Sequence, residues 1–525
     1  MSYSSTGNPT ILIQHKDGSS TPFYASTVNT ERGSKLLEAL DGSVSGDVIQ
    51  LGPGTFDCGT NAVSKAYGVK VVGSPGYSTV VTTKNTVNML SSLYPEDDQV
   101  SYNIATGLRN WRKSLGMCGK NSAGTGFGGI DVLWCGSSTM EGGVCKTPVD
   151  AGVHILKRML QSRLNPSGVQ GGYGFVPFLS GAWSTGLSDI GFDGSREPSN
   201  GKWKYFKVNG TYSAWLGGCW GPHCAAGTVG PQTAAETHVT LLMNGTHASA
   251  IPFRFNADKF QFVLRETTTS GFTYDVGSSE PITIGAGSPT GTVADGTGDA
   301  YGKHLPANGI ALTRTAKNYI QLAPAVGKTV RLDGGIAYDG DWDCGCRVHG
   351  LGLSGTVMGM ADGSAAGWAQ PQCIEAVQRF GAATGGGAVQ AKLVVNNAGQ
   401  NDCNLGIPVA TFKANYGAWI AAMKAMASAP SVLLIVPVPK GGESAAYYST
   451  TWPAYVAAIY ELADIYGCAI FDLNLLFPGN TSPWDPSGAG AMSALGWDGD
   501  GTAHYTDLAY WAQSEMLFRL LTSGI

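Results

Sequence analysis

Charge is scarce in this sequence. Lys, Arg, Asp and Glu together make up 14% of its 525 residues, against roughly 25% in ordinary soluble domains. The net charge is −5, and no run of Lys or Arg appears anywhere in the chain. A protein that neutralises a phosphate backbone needs a basic stripe, so nucleic acid is not an expected partner. Long apolar runs are missing too, and nothing approaches the roughly 18 consecutive residues of a membrane span. The opening MSYSSTGNPTILIQHKDG has no basic start, apolar block or small-residue cleavage site, so no signal peptide is expected. A protein of this kind acting outside a cell would leave by another route, such as assembly into a phage particle released by lysis. The expected location is therefore virion tail or extracellular.

A disulfide framework is also missing. Eleven cysteines, an odd number, are scattered from Cys58 to Cys468, which is not the pattern of a stapled scaffold. CWGPHC groups Cys219, His223 and Cys224, and CGC holds Cys344 and Cys346. Neither spacing fits a common zinc finger. Buried thiols, or one local Cys219–Cys224 disulfide, are expected, and no metal or other cofactor.

What is abundant is glycine, 75 residues, beside 43% hydrophobic and 10% aromatic residues. That suffices for two or three core-forming domains at this length. Residues 1–36 are polar and turn-rich and read as an N-terminal arm or attachment segment. Over 37–93, brief β-rich runs (Val48 to Leu51, Val69 to Val72, Thr79 to Val81) are each broken by Gly or Pro. Short strands split by glycine turns suit stacked coils. GDVIQLGPGTF…GVKVVGS resembles the first coils of pectate-lyase-type parallel β-helices, over about 50 residues. So short a solenoid cannot bury its own face, so it must stack on something else. Residues 94–125 read as a linker with a helix.

The pattern changes at IDVLWCG, a strand, and at DAGVHILKRMLQSRL, a helix. These fall in 126–167. From 343 to 525 strands such as AKLVVNN, SVLLIV and CAIFDL alternate with helices, among them PAYVAAIYELADIYG and YTDLAYWAQSEMLFRLL. Apolar strands interleaved with amphipathic helices predict an α/β domain with a parallel sheet covered on both faces. Between its two parts, 168–342 carries short alternating runs such as KFQFVLRE and TVRLDGGIAY, which predict an inserted, jelly-roll-like β-sandwich. Its aromatics (Trp203, Tyr205, Phe206, Trp215, Trp220) could stack on sugar rings, although singly each is more often core.

In an open α/β sheet, chemistry gathers at the carboxyl ends of the strands. One polar candidate stands at each. GSSTMEGG offers Ser138, SGTV offers Gly355 with its bare backbone N–H, and GQND offers Asn401 as an amide donor. WDGDGTAHYTD, just before the last helix, offers His504, with Asp500 four residues earlier and Asp498 six earlier. A hydroxyl, a base, an acid to orient it and oxyanion donors are the parts of nucleophilic acyl transfer. Singly, Ser138 reads as a turn serine, Asn401 as a loop residue and His504 as an exposed helix-start histidine. Glu141 reads as a solvated loop acid and His349 as a core residue rather than a base.

Together and in this order, the blocks resemble the SGNH (GDSL-type) esterases and lipases. GSST stands where the family has GDS, GLSG carries the oxyanion glycine, GQND matches GxND, and DGTAH stands where the family has D-x-x-H. The resemblance covers about 126–170 and 343–525. It implies a three-layer, flavodoxin-like SGNH-hydrolase domain in which Ser138 is the nucleophile and His504 the base. Asp500, or alternatively Asp498, would orient the base, and Ser138, Gly355 and Asn401 would hold the oxyanion. Two departures stand out: Ser137 replaces the family's Asp, and Asp500 sits one residue further from the histidine. The strand order, the upstream NWRKSL and the β insertion further resemble tail-associated esterases of phages that infect actinobacteria. That implies an acylated envelope glycan or lipid as substrate, and other virion tail proteins as partners. A homotrimer would fit a fibre or spike, although no heptads argue for one. The competing readings are a non-catalytic tail or adhesion protein binding glycan on the same scaffold, and a polysaccharide lyase, which so few coils disfavour.

Overall fold

Every residue of Ile130–Gly136 is buried. A strand that is apolar on both faces belongs inside a sheet with helices on either side. The computed structural model describes residues 101–118, 129–142, 151–165, 345–352, 355–359, 367–382, 389–476, 483–484, 492 and 495–523. Elsewhere, between 10 and 90 and between 174 and 338, it describes mainly the strands.

Six strands form one sheet: β1 (Ser101–Tyr102), β2 (Ile130–Gly136), β3 (Cys346–Gly350), β4 (Ala391–Asn397), β5 (Ser431–Val436) and β6 (Ala469–Asp472). Their order is β3-β2-β4-β5-β6-β1. All neighbours are parallel except β1, which lies antiparallel on β6. The five parallel strands thus follow the flavodoxin-like order, whose crevice opens where the chain reverses direction across the sheet, here between β2 and β4.

The helices are α1 (Arg109–Ser114), α2 (Gly152–Leu164), α3 (Pro371–Phe380), α4 (Val409–Lys424), α5 (Trp452–Tyr466) and α6 (Asp507–Thr522). Successive strand residues point to opposite faces, and two cores result. Leu133, Cys135, Val394 and Leu434 pack with Phe380, Phe412, Trp419 and Tyr455 from α3, α4 and α5. Val132, Trp134, Leu393, Val395 and Leu433 pack with Trp111, Ile155, Leu160, Tyr510 and Leu517 from α1, α2 and α6. Three layers follow.

The stretch read as a linker, 94–125, is in part corrected by this arrangement. Residues 101–118 are built into the α/β unit as its edge strand and α1. Trp111 is fully buried, donates its Nε1–H to the Leu521 carbonyl at 2.9 Å, and donates its backbone N–H to Ser431 Oγ at 3.0 Å. Gly107 lies so close to the Ala469 backbone that a Cβ there would overlap it. The cause is a large apolar side chain in a short polar stretch, which the gap between β5 and α6 takes up.

Strands between Gly174 and Tyr338 form two antiparallel sheets. One orders Tyr212–Trp215, Ala226–Val229, Val330–Tyr338, Lys259–Leu264 and His304–Ala311. The other orders Phe206–Asn209, His238–Met243, Asn318–Pro324, Phe272–Gly277 and Gly291–Val293. Phe262 of the first meets Phe272 of the second edge to face, with centroids 5.8 Å apart. Nearer the N-terminus, Val48–Leu51 pairs in parallel with Lys70–Val72, and Gly54–Asp57 with Thr79–Thr83. Thr10–Gln14 joins the first pair antiparallel.

A buried ion network lies at the amino end of the large sheet, where the β-rich stretch meets it. Arg347 Nε and Nη2 donate to the two Asp131 oxygens at 2.6 and 2.8 Å, all with no exposure. His349 Nε2 donates to Asp131 Oδ1 at 2.8 Å, and its Nδ1 accepts the Phe175 N–H at 3.1 Å. Phe380 of α3 packs edge-on against His349, Phe175 and His304. Burial pushes the Asp131 carboxyl up, but the Arg347 charge and hydrogen bonds, with those of His349, outweigh it and hold the group well below the usual range. Burial likewise lowers His304, to about 3. No described helix is long and apolar enough to cross a membrane.

Candidate active site

Ser138 opens a one-turn helix, Ser138–Glu141, directly after β2. The chain bends at Gly136, where a Cβ would run into Asn397 Oδ1, so only glycine lets β4 come this close. Asn397 Nδ2 in turn donates to Thr139 Oγ1 at 2.6 Å, and Ser137 Oγ lies 3.5 Å from the same hydroxyl. The first N–H groups of a helix have no intrahelical acceptor, and the Ser138 N–H is one of these.

His504 is delivered by the loop before α6. Asp498 Oδ1 accepts the N–H groups of Gly501 at 2.5 Å and Asp500 at 3.2 Å, which fixes the turn. Asp500 Oδ1 accepts the N–H groups of Thr502, Ala503 and His504 at 2.9, 2.9 and 3.1 Å, and the Thr502 hydroxyl at 3.0 Å. Its other oxygen, Oδ2, pairs with His504 Nδ1. His504 Nε2 then lies 2.8 Å from Ser138 Oγ. A proton on Nδ1 leaves Nε2 free to accept the serine hydroxyl.

The four-residue spacing of DGTAH is absorbed by this turn, and of the two candidate acids it is Asp500 that meets the ring. Partial burial raises the Asp500 carboxyl, yet the Ala503 N–H, the His504 ring and the His504 and Thr502 N–H groups prevail. The group is held well below the usual range.

The other two candidates sit on loops that touch. Gly355 is exposed and left-handed (φ 80°) at the head of a strap, residues 355–359, that follows β3. Asn401, in the short helix Gln400–Asn404 after β4, donates Nδ2–H to the Thr356 carbonyl at 2.9 Å. Thr356 Oγ1 donates to the Gly136 carbonyl at 3.1 Å. The strap is thereby tied to both the serine bend and the asparagine turn. Two residues here escaped the sequence reading. Thr356 bridges three loops, and buried Asp402 accepts the Met358 N–H at 2.8 Å. The acid within GQND was a signal for the second; nothing marked the first.

His349 is fully buried and bonded to Asp131 in the ion network, so the reading of it as a core residue fits its place. Among the described residues no cluster of His, Cys, Asp or Glu could hold a metal ion. Cys118, Cys135, Cys346, Cys373, Cys403 and Cys468 are buried. Cys219, His223, Cys224 and Cys344, like the side chains of Trp203, Tyr205, Phe206, Trp215 and Trp220, lie outside the described residues.

Residues 342–512 match the family model described as the GDSL-like Lipase/Acylhydrolase family. This segment carries Gly355, Asn401, Asp500 and His504, while Ser138 precedes it. No curated protein matches the chain in sequence. Similar solved structures include one described as "Peptidoglycan O-acetylesterase in action, 5 min", 14% identical over 80% of this chain and 98% of that one, with a TM-score of 0.49. Another is a carbohydrate esterase family 2 enzyme with a carbohydrate binding domain from Corynascus thermopiles (Myceliophthora fergusii), 12% identical over 60% and 99%, TM-score 0.25. A third is the native M. Smegmatis aryl esterase, 14% identical over 34% and 80%, TM-score 0.25.

Proposed function

We propose that the protein is a serine esterase that removes ester-linked acyl groups. The observation that carries this is the chain of contacts from Asp500 through His504 to Ser138 at the carboxyl end of β2. His504 Nε2 takes the Ser138 proton as Oγ attacks the ester carbonyl. The tetrahedral oxyanion is met by the N–H groups of Ser138 and Gly355 and by Asn401, whose amide keeps a second hydrogen beyond the one given to Thr356. His504 returns the proton to the leaving alcohol, leaving an acyl-serine. Water, deprotonated by the same ring, then releases the acid and restores the hydroxyl. A preorganised donor of this kind is typically worth roughly a hundred- to a thousandfold in rate.

The substrate we propose is an acylated envelope glycan or lipid, and the setting a phage tail in which other tail proteins hold the enzyme. Support for this part is the sequence pattern alone: the coil-like N-terminal segment and the β-rich insert, which we read as a sandwich that places the enzyme on its glycan. An acetylated polysaccharide, the kind of ester named for the O-acetylesterase above, is the first polymer to offer.

Fluorophosphonate labelling of the purified protein, mapped by peptide mass spectrometry, tests the chemistry. One adduct on the Ser138 peptide is expected, and Ser138→Ala should abolish both the adduct and turnover of p-nitrophenyl acetate while leaving the fold intact. A folded protein that takes no adduct would instead be a scaffold that binds without cleaving.

A further inference from the structure

The mechanism uses Asn401 but not its neighbour. Asp402 is fully buried, and among the described residues no cation is paired with it. Its Oδ1 accepts the Met358 N–H from the strap that begins at Gly355, while among the described residues no hydrogen bond reaches its Oδ2. Among the described residues, three titratable side chains face it: Cys403 on its own short helix, Tyr416 from α4 and Tyr455 from α5. Each is raised by its own burial above its ordinary value, so all three are neutral in the working range. Building an acid into such a place is costly unless it does something.

We infer that Asp402 is a positioning residue, whose carboxylate holds the strap against the Asn401 turn and so fixes the spacing of the Gly355 and Asn401 donors. The inference rests on the esterase reading above. Other bonds hold the same strap as well, among them the Thr356 hydroxyl to the Gly136 carbonyl, the Trp368 ring N–H to the Thr356 hydroxyl and the Ala369 N–H to the Met358 carbonyl at 2.9 Å. Asn401 holds Thr356, Asn415 Nδ2 donates to the Gly359 carbonyl at 2.8 Å, and Trp368 N–H donates to the Val357 carbonyl at 3.0 Å. From the asparagine turn itself, the Met358 N–H is held by Asp402.

Burial raises the Asp402 carboxyl to about 6, against the opposing pull of the Met358, Gly399 and Asp402 N–H groups. An ionised acceptor bonds roughly twice as strongly as a neutral one, so the latch tightens as pH rises through that value. Stability moves the other way. A raised acid favours the neutral fold, so stability is highest below the unfolded carboxyl pKa of about 3.9 and falls until the folded value is passed. Activity and stability therefore pull apart at this one residue, as expected where a strained group serves function.

The test is Asp402→Asn, in which Oδ1 still accepts but the charge is gone. At about pH 8 the variant should melt several degrees above wild type. Its kcat on p-nitrophenyl acetate should fall ~10-fold with KM little changed, as should its rate of fluorophosphonate labelling at Ser138. A variant that is less stable than wild type, or that fails to fold, overturns the inference, because a purely structural acid would behave so. A labelling rate and kcat within about twofold of wild type overturn it equally. A wild-type protein that takes no label overturns the esterase reading first and this inference with it.

Discussion

Replacing Asp500 by Asn isolates the orienting role from the loop. The amide oxygen can still accept the N–H groups of Thr502, Ala503 and His504 that Oδ1 accepts now. Its NH2, however, stands where Oδ2 receives the His504 ring. Two donors then face each other, so the ring must carry its proton on Nε2, and Nε2 can no longer take one from Ser138. In a fully buried triad this swap costs up to about 10⁴ in kcat. The Asp500 side chain is 27% exposed, so water can relieve part of the conflict, and a loss of ~10²–10³ is expected, about 3–4 kcal/mol of barrier. Asp498→Asn is the matched control. Its oxygen keeps accepting Gly501 and Asp500, and kcat should stay within about fivefold. The assay is steady-state hydrolysis of p-nitrophenyl acetate against pH, with folding followed by circular dichroism. Because the wild-type acid is depressed, its contribution to the loop is present above the unfolded carboxyl pKa and lost only as pH falls through the folded value. The loop is therefore intact at every pH of the assay. Asp500→Asn retaining kcat within threefold, or Asp498→Asn proving the more damaging, would refute the reasoning.

Two further outcomes concern stability. Arg347→Leu should cost ~3–5 kcal/mol, because it leaves Asp131 buried without its guanidinium. The pH dependence should also invert. Wild type keeps the Asp131 contribution above the unfolded carboxyl pKa and loses it as pH falls through the depressed folded value. In the variant, burial raises the acid, so stability declines with rising pH; urea unfolding at several pH values reads the sign. Trp111→Ala should cost about 3–5 kcal/mol in the same assay, whereas a residue in a free linker would cost nothing.

The sheet was legible because its strands are apolar on both faces and its helices are periodic. VLWC, KLVV and SVLLIV admit no half-solvated reading, and once they are parallel the strand ends define a crevice. Less legible were elements held by single side chains. A helix was expected in NWRKSL, but not its place in the α/β unit, which one tryptophan between Ser431 and Leu521 decides. The helix α3 follows a glycine-rich stretch and begins at Pro371, so no apolar repeat precedes it to mark its start. The ion network had a faint signal. Asp131 heads an otherwise apolar strand, and Arg347 and His349 stand two apart on another, which puts both on one face. What the pattern could not supply was the register that sets Arg347 opposite Asp131.

The departure at Ser137 shows why motif letters and site geometry separate. An acid or a serine at this position can each precede a helix, yet Ser137 makes no capping bond to the helix it precedes. The bend is held from β4 instead. Asn397 fills the space left open by Gly136 and anchors Thr139 at 2.6 Å, while Thr356 fastens the Gly136 carbonyl from the strap after β3. Three strand ends thus fix the serine bend through residues the motif does not name. The same holds at the histidine, where an extra residue before His504 is absorbed because Asp498 and Asp500 between them take up the N–H groups of the longer turn. In both loops the hydrogen-bond demand of the backbone is met locally, so the letter at a single motif position is free to change while the distance from Ser138 to His504 is kept.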